Sequence, residues 1–263
     1  MHKSWFRFRR GVCLKLHFTQ PQFYFEKVSE VTLLNLRQHK LVETTMKVIQ
    51  LTKDFAADAA HVLSKAFEND PYSWGRAIGS SSERFEKYVN NIHLPEVVES
   101  KVPSFIAVDE AQSNQVTGIL TLEDFAKSDK PSETDDEFGQ PIPAILRKCH
   151  TLFWSELFMR TGKTPQTIGP VCYFAFLAVH GSYRRRHIGE ALVQRGVEEA
   201  RKCGFQTLVA FCTSPRSANL FGKCGFERWA SIKYTEFKLP SDGSTPFSSL
   251  PDSTAVMVKL FKE

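Results

Sequence analysis

The residues best suited to chemistry lie in one run, Leu177-Ala178-Val179-His180-Gly181-Ser182-Tyr183-Arg184-Arg185-Arg186-His187-Ile188-Gly189-Glu190. An apolar strand breaks there into a short basic loop, and the loop opens directly into an amphipathic helix. The start of a helix leaves its first N–H groups without carbonyl partners, which makes it a receptor for an anion such as a diphosphate. Arg184, Arg185 and Arg186 add positive charge on the approach. His187 stands where glycine would best tolerate a left-handed backbone. Histidine enters that region more readily than most residues, so the loop can keep its shape. A basic strand–loop–helix joint that holds no ligand is the simpler alternative.

Stepping outward, the pattern predicts the elements that carry this loop. Strand 172–179 precedes it, and helix Ile188–Cys203 follows with Ile188, Leu192, Val197 and Ala200 on one stripe and Gly204 as its stop. Strand Phe205–Phe211 comes next, then a short helix capped by Ser214 with Pro215 at its first position and Gly225 at its end. Two strands, 230–239 and 254–261, close the chain. Upstream, Lys47–Leu51 reads as a strand and Thr52 as the cap of a helix burying Phe55, Ala59, Val62 and Ala66. Asp70-Pro71 ends that helix. Another helix covers Ser82–Ile92, and strands 104–108 and 116–122 form a hairpin. Residues 127–143 carry Pro131, Pro141 and Pro143 and read as a surface loop or substrate lid. Helix 145–159 follows, with Ile145, Leu146, Phe153 and Leu157 as candidate core.

Composition excludes several classes. The chain has 263 residues, 42% of them hydrophobic, enough for one domain with an extension. Its net charge of +5 comes from the first 25 residues, where Lys3, Arg7, Arg9, Arg10 and Lys15 stand without an acid. The rest is neutral, so nucleic acid is not an expected partner. No apolar run reaches the roughly 18 residues a membrane span needs. The six cysteines show no metal-ligand spacing, and they read as reduced and buried. No metal is therefore expected, and a cytoplasmic location is. Residues 1–44 form a basic extension that reads as loosely attached or disordered. Their arginine content also suits a mitochondrial transit segment. The folded domain is expected over 45–263, as a monomer or weak dimer.

The order strand, anion loop, helix, strand, short helix Ser214–Cys224, Gly225-Phe226, strand, strand resembles the GCN5-related N-acetyltransferase (GNAT) superfamily. The resemblance covers about 47–263. It implies an α/β (α+β) fold whose mostly antiparallel central sheet splays at the acyl-CoA site between flanking helices. It further implies acetyl-CoA as co-substrate. Pantetheine would bond the free edge at Leu177, Ala178 and Val179. The diphosphate would meet Arg184, Arg185, Arg186, His187, Ile188, Gly189 and Glu190, with Ser214 on the short helix beside the pantetheine arm.

The implied reaction is direct attack by a small-molecule primary amine, an arylalkylamine or polyamine, on the thioester. Many relatives keep a tyrosine four residues before Gly-Phe as the acid; this chain has Phe221. Vertebrate arylalkylamine acetyltransferases carry two histidines where this chain has Tyr173 and Ala175. Phe67-Glu68-Asn69-Asp70-Pro71-Tyr72 is similar to the Phe-x-x-Glu-Pro setting of the insect enzymes. That implies Asp70 as general base, working through water, although the same residues also make a turn. Glu68 and Glu123 are reserve bases, Tyr173 a reserve acid, and His180 is a candidate to face the amine, with a solvated loop histidine as the alternative. Acetylation of a protein N-terminus or lysine, and an acyl-CoA-binding module that has lost its chemistry, are the alternatives.

Overall fold

The computed structural model describes residues 45–128 except Asn69, residues 141–261, and the backbone of three short strands in the N-terminal extension. The chain divides into two units, Met1–Met46 and Lys47–Glu263. In the first, β1 (Trp5–Arg7), β2 (Cys13–Leu16) and β3 (Phe25–Lys27) pair antiparallel in sequence order. The rest of the extension lies outside the described residues.

The second unit is built on a seven-stranded sheet in the order β4-β5-β6-β7-β8-β10-β9. Its strands are β4 (Met46–Gln50), β5 (Phe105–Asp109), β6 (Gln115–Asp124), β7 (Val171–Val179), β8 (Thr207–Cys212), β9 (Glu227–Lys233) and β10 (Ser253–Leu260). The pairs β5–β6, β6–β7, β8–β10 and β10–β9 are antiparallel, and β7–β8 is a parallel junction. A parallel junction needs a crossover, supplied by α7 (Ile188–Lys202). The fold is thus the α/β arrangement expected: a mixed, mostly antiparallel sheet flanked by helices.

The remaining helices are α1 (Ala56–Glu68), α2 (Trp74–Ala77), α3 (Ser82–Tyr88), α4 (Leu94–Val98), α5 (Phe125–Ser128), α6 (Pro141–Thr161) and α8 (Pro215–Lys223). One apolar cluster lies under α1 and joins Ala59, Leu63, Val89, Leu94, Ile106, Ile119 and Ala178. A second lies under α6 and joins Phe125, Ile145, Phe153, Leu157, Val209, Phe211, Tyr234 and Val256.

The elements depart from expectation at their ends. Thr52 takes the cap position, but its hydroxyl makes no capping bond, and the first turn is a 3₁₀ turn over Lys53–Phe55. The helix predicted over 82–92 stops at Tyr88 and continues as a π-turn, Val89–His93, into α4 despite Pro95. Pro141 and Pro143 do not belong to a loop; they occupy the first turn of α6, where a missing N–H costs nothing. Residues 129–140, the bulk of the predicted lid, lie outside the described residues. The strand predicted over 230–239 ends at Lys233, because the Lys233 carbonyl accepts the amides of Glu236 and Phe237 and turns the chain. In α7, Ile188, Leu192 and Ala200 are buried while Val197 is half-exposed. Gly204 ends that helix at φ 84°, the left-handed conformation a C-terminal stop requires.

Candidate active site

The sheet opens in its middle. β7 pairs with β8 through Val171, Cys172, Tyr173 and Phe174, and the register ends at Phe174 opposite Ala210. On its other edge β7 stays paired with β6 through Val179. Between Phe174 and Phe176 the β6 register shifts at Thr121/Leu122, so Ala175 is the extra residue of a bulge. Bulges bend a strand and increase its local twist, which carries Ala175–Val179 away from β8. One edge of Leu177, Ala178 and Val179 is left without a β8 partner and borders the opening between β7 and β8, the cleft of the sheet. The divergence begins two residues earlier than the expected Leu177-Ala178-Val179.

The basic loop follows at the end of that free edge. The His180 amide donates to the Thr117 carbonyl (2.8 Å), and a 3₁₀ turn covers Gly181–Tyr183. The turn is anchored by Tyr183, whose hydroxyl donates toward Asp109 Oδ2 (3.1 Å) at the end of β5. This clamp spans 74 residues of sequence and could not be read from spacing. Arg186 lies over the Tyr183 ring, 4.8 Å from its centroid. Arg185 and His187 both adopt left-handed backbones, φ 65° and 60°. The imidazole therefore occupies the conformation that a glycine would take there.

Within α7 the first intrahelical bond is from Ala191 N to His187 O (3.0 Å). The amides of Arg185, Arg186, His187, Ile188, Gly189 and Glu190 have no hydrogen-bond partner among the described residues. Arg184, Arg185 and Arg186 are exposed beside them. Six such amides around a helix start form an anion receptor, reinforced by the helix dipole. Gly189 matters through packing and not through its backbone angle: a Cβ there would lie 2.9 Å from Leu220 Cδ1 on α8, and the leucine side chain would have to shift.

The expected side chains fall into two groups. Ser214 is buried and spends its hydroxyl on the α8 cap, accepting from Ser217 N at 3.2 Å. Phe221 is buried in edge-to-face contact with Phe174 and Phe226. Asp70 is half-buried, and its Oδ1 accepts the Tyr72 amide (2.9 Å) in a local turn. Glu68 is bonded to Lys65 (2.9 Å) and Ser82 (3.1 Å), and these contacts hold its pKa below the usual carboxylate range. His180 accepts the Ser182 amide on an exposed loop.

Glu123 is different. It stands opposite Tyr173 across β6–β7, next to the bulge, with its carboxylate Oε1 3.5 Å from His93 Nδ1. Burial, with the Glu96 charge second, pushes its pKa up to about 7. Burial pushes His93 down to about 4, so the imidazole is neutral near neutral pH and the pair is not an ion pair. His93 also meets Thr121 Oγ1 (3.2 Å) and the Phe176 ring (4.8 Å between centroids). Phe67, Phe85 and Phe176 pack mutually beside it, 5.6–5.9 Å apart. His93 was missed from sequence because its helix was expected to end at Ile92. Burial also pushes the Tyr173 phenol well above its ordinary range, leaving it protonated.

Comparisons with known proteins bear on the fold. Residues 154–226 match the model of the acetyltransferase (GNAT) family. The C-terminal condensation domain of Ebony, solved with β-alanyl-dopamine, superposes with TM-score 0.64 at 17% identity, over 82% of this chain and 99% of that one. A mosquito arylalkylamine N-acetyltransferase-like 5b gives 0.60 at 16% identity, over 82% and 100%. The Drosophila melanogaster polyamine N-acetyltransferase, described as forming N-acetylagmatine, gives 0.57 at 16%, over 82% and 100%. No curated protein sequence matches the chain.

Proposed function

We propose that this chain, a GNAT-superfamily acyltransferase, transfers acetyl from acetyl-CoA to the primary amine of a small molecule, an arylalkylamine or a polyamine. The observation that carries this reading is the succession of two features. The unpaired edge of β7 is followed, after the bonded turn at His180–Arg184, by six unpartnered amides at the start of α7. An extended amide-bearing arm ending in a pyrophosphate fits that sequence of acceptors and donors.

In this reading Leu177, Ala178 and Val179 bond the pantetheine arm as an added strand would. Arg184, Arg185 and Arg186 with the amides from Arg185 through His187, Ile188 and Gly189 to Glu190 receive the pyrophosphate. Ser214 keeps α8 in register beside the arm through its cap. Holding thioester and amine together converts a bimolecular encounter into an oriented one. An amine with a pKa of about 10 must first lose a proton. The insect-type motif implies Asp70 as that base; its Oδ1 already accepts the Tyr72 amide, and Glu123 is the second carboxylate that could take the proton in its place. The rings of Phe67, Phe85 and Phe176 support an aromatic or alkyl substituent on the amine. The five described cysteines are free thiols, which supports a reducing compartment such as the cytoplasm. Among the described residues no helix is long and apolar enough to cross a membrane.

Calorimetry with acetyl-CoA, followed by a thiol-release assay on tryptamine, agmatine and a lysine peptide, tests the proposal. Micromolar binding and turnover on a small amine are expected. Absence of any acetyl-CoA binding overturns it, and turnover on the peptide alone replaces the small-amine substrate with a protein.

A further inference from the structure

Glu123 is a recessed carboxylate with an unusual environment. Its side chain keeps 24% of its surface accessible, and that of His93 keeps 6%. No lysine or arginine among the described residues lies within ion-pair distance of Glu123; its one ionic-type neighbour is His93. A carboxylate withdrawn from water without a cation is costly, and a fold retains one where something else supplies the charge. A hydrogen-bond chain holds it. The Phe176 amide donates to Thr121 Oγ1 (3.0 Å), and Thr121 Oγ1 lies 3.2 Å from His93 Nε2. With the threonine hydroxyl donating to Nε2, the neutral imidazole carries its proton on Nδ1, the atom facing Glu123. The Phe176 amide belongs to the bulge at which the sheet opens, so the chain ties the carboxylate to the edge of the cleft.

We propose that Glu123 is the counter-ion and proton acceptor for the substrate ammonium, that His93 and Thr121 position it, and that the substrate is therefore a cationic primary amine. This rests on the acetyltransferase reading above and specifies its proton chemistry. Glu123 takes one proton from R–NH₃⁺. The freed nitrogen bonds to the thioester carbonyl carbon, and the carbon–sulfur bond breaks with its electron pair on sulfur. The nitrogen's second proton goes to that sulfur, giving the thiol and the amide. Glu123 then releases its proton to solvent, for a net release of one. The groups acting on Glu123 or acted on by it are His93 from the π-turn, Glu96 from α4, and Tyr173 and Cys172 from β7. None is cationic near neutral pH. Burial, with the Glu96 charge second, keeps the carboxyl proton near the operating range, as a base for a high-pKa amine requires.

The test is the pH dependence of kcat/KM with agmatine and tryptamine, using the full chain. Wild type should rise with pH through a limb near 7. Glu123→Gln should lose at least about 100-fold at pH 7.5 and the limb with it, while acetyl-CoA binding by calorimetry stays within about two-fold. Asp70→Ala should keep the limb. His93→Gln should move the limb and lower kcat without changing KM for acetyl-CoA. A Glu123→Gln enzyme with wild-type rate and limb overturns the proposal, as does loss of the limb in Asp70→Ala. Should Glu123→Gln fail to bind acetyl-CoA, Glu123→Asp and His93→Gln decide, and an unmoved limb in both overturns it. Wild type that binds no acetyl-CoA sinks the acetyltransferase reading instead; wild type that binds it yet acetylates no cationic amine sinks this one.

Discussion

The imidazole of His187 reaches over the first turn of α7, its Nδ1 3.1 Å from Glu190 Oε2, while its own backbone sits at φ 60°. The side chain thus acts as a brace across the same turn whose amides are unpartnered. A residue with a Cβ is thereby held in a left-handed backbone that glycine adopts freely.

That arrangement predicts an ordered response to substitution at 187. Glycine should preserve the loop and leave acetyl-CoA affinity within about three-fold, because it needs no brace to adopt a left-handed backbone. Valine should cost about 1–3 kcal/mol, since a β-branched residue is strained there. Thermal unfolding with and without acetyl-CoA measures both effects, and equal stability of the two variants contradicts the account.

Small residues in α7 set how closely it approaches its neighbours. A Cβ at Gly196 would lie 2.7 Å from Leu120 Cδ2 and 3.0 Å from Phe174 Cε1; at Gly189 its one close approach would be to Leu220 Cδ1 at 2.9 Å, with Val179 Cγ2 in ordinary contact at 3.7 Å. Gly196→Ala should therefore destabilise by about 1–3 kcal/mol through overpacking. Gly189→Ala should cost less and should weaken acetyl-CoA binding as α7 moves from α8. Melting temperatures and calorimetry separate the two outcomes.

Glu123 and His93 should shape stability against pH in opposite senses. Glu123, raised from 4.5 to about 7, binds its proton in the fold while the unfolded chain has released it, so its contribution is lost as pH rises through 7. His93, lowered from 6.5 to about 4, stays neutral in the fold while the unfolded chain binds a proton, so its contribution is lost as pH falls toward 4. Between about 4.5 and 6.5 both states hold one proton on the pair, and the two slopes cancel. Wild type should show no slope from this pair in that window. His93→Gln should lose stability as pH rises across it, and Glu123→Gln should lose stability as pH falls. Denaturant titrations at half-unit pH steps would expose either slope; parallel curves for all three proteins would refute the coupling.

A further link holds the turn after Asp70 against the far end of the sheet. Trp74 Nε1 donates to Tyr234 Oη (2.9 Å), and that hydroxyl donates to the Thr213 carbonyl (2.8 Å). Tyr234→Phe removes both bonds and leaves a buried indole N–H unpaired. The expected cost is about 1–3 kcal/mol, or a melting point lower by about 2–4 °C for each kcal/mol in a domain of this size. A variant as stable as wild type would show that another acceptor replaces the phenol.

Much of the fold was legible from local pattern. The strand–loop–helix at 171–202, the Ser214-Pro215 start of α8 and the Gly204 stop all depend on neighbours within a turn or two. The misplaced boundaries arose where a local turn overrode the preference read from composition. Pro95 sits inside helical structure because a π-turn precedes it, and Lys233 ends β9 early because its carbonyl is taken by a turn. Glu123 was visible only as one acid among several, and nothing in its neighbours along the chain marked its burial.

Hydrophobic periodicity, caps and glycines, all short-range, were enough to specify the strand and helix order and the anion loop. The surroundings of Glu123 at the opened sheet were not specified that way. They depend on Glu123 meeting Tyr173 across two strands and His93 from a third element, and on a one-residue bulge at Ala175. Proton affinity follows the dielectric and charges around a group, and those come from residues tens of positions away that only folding brings together.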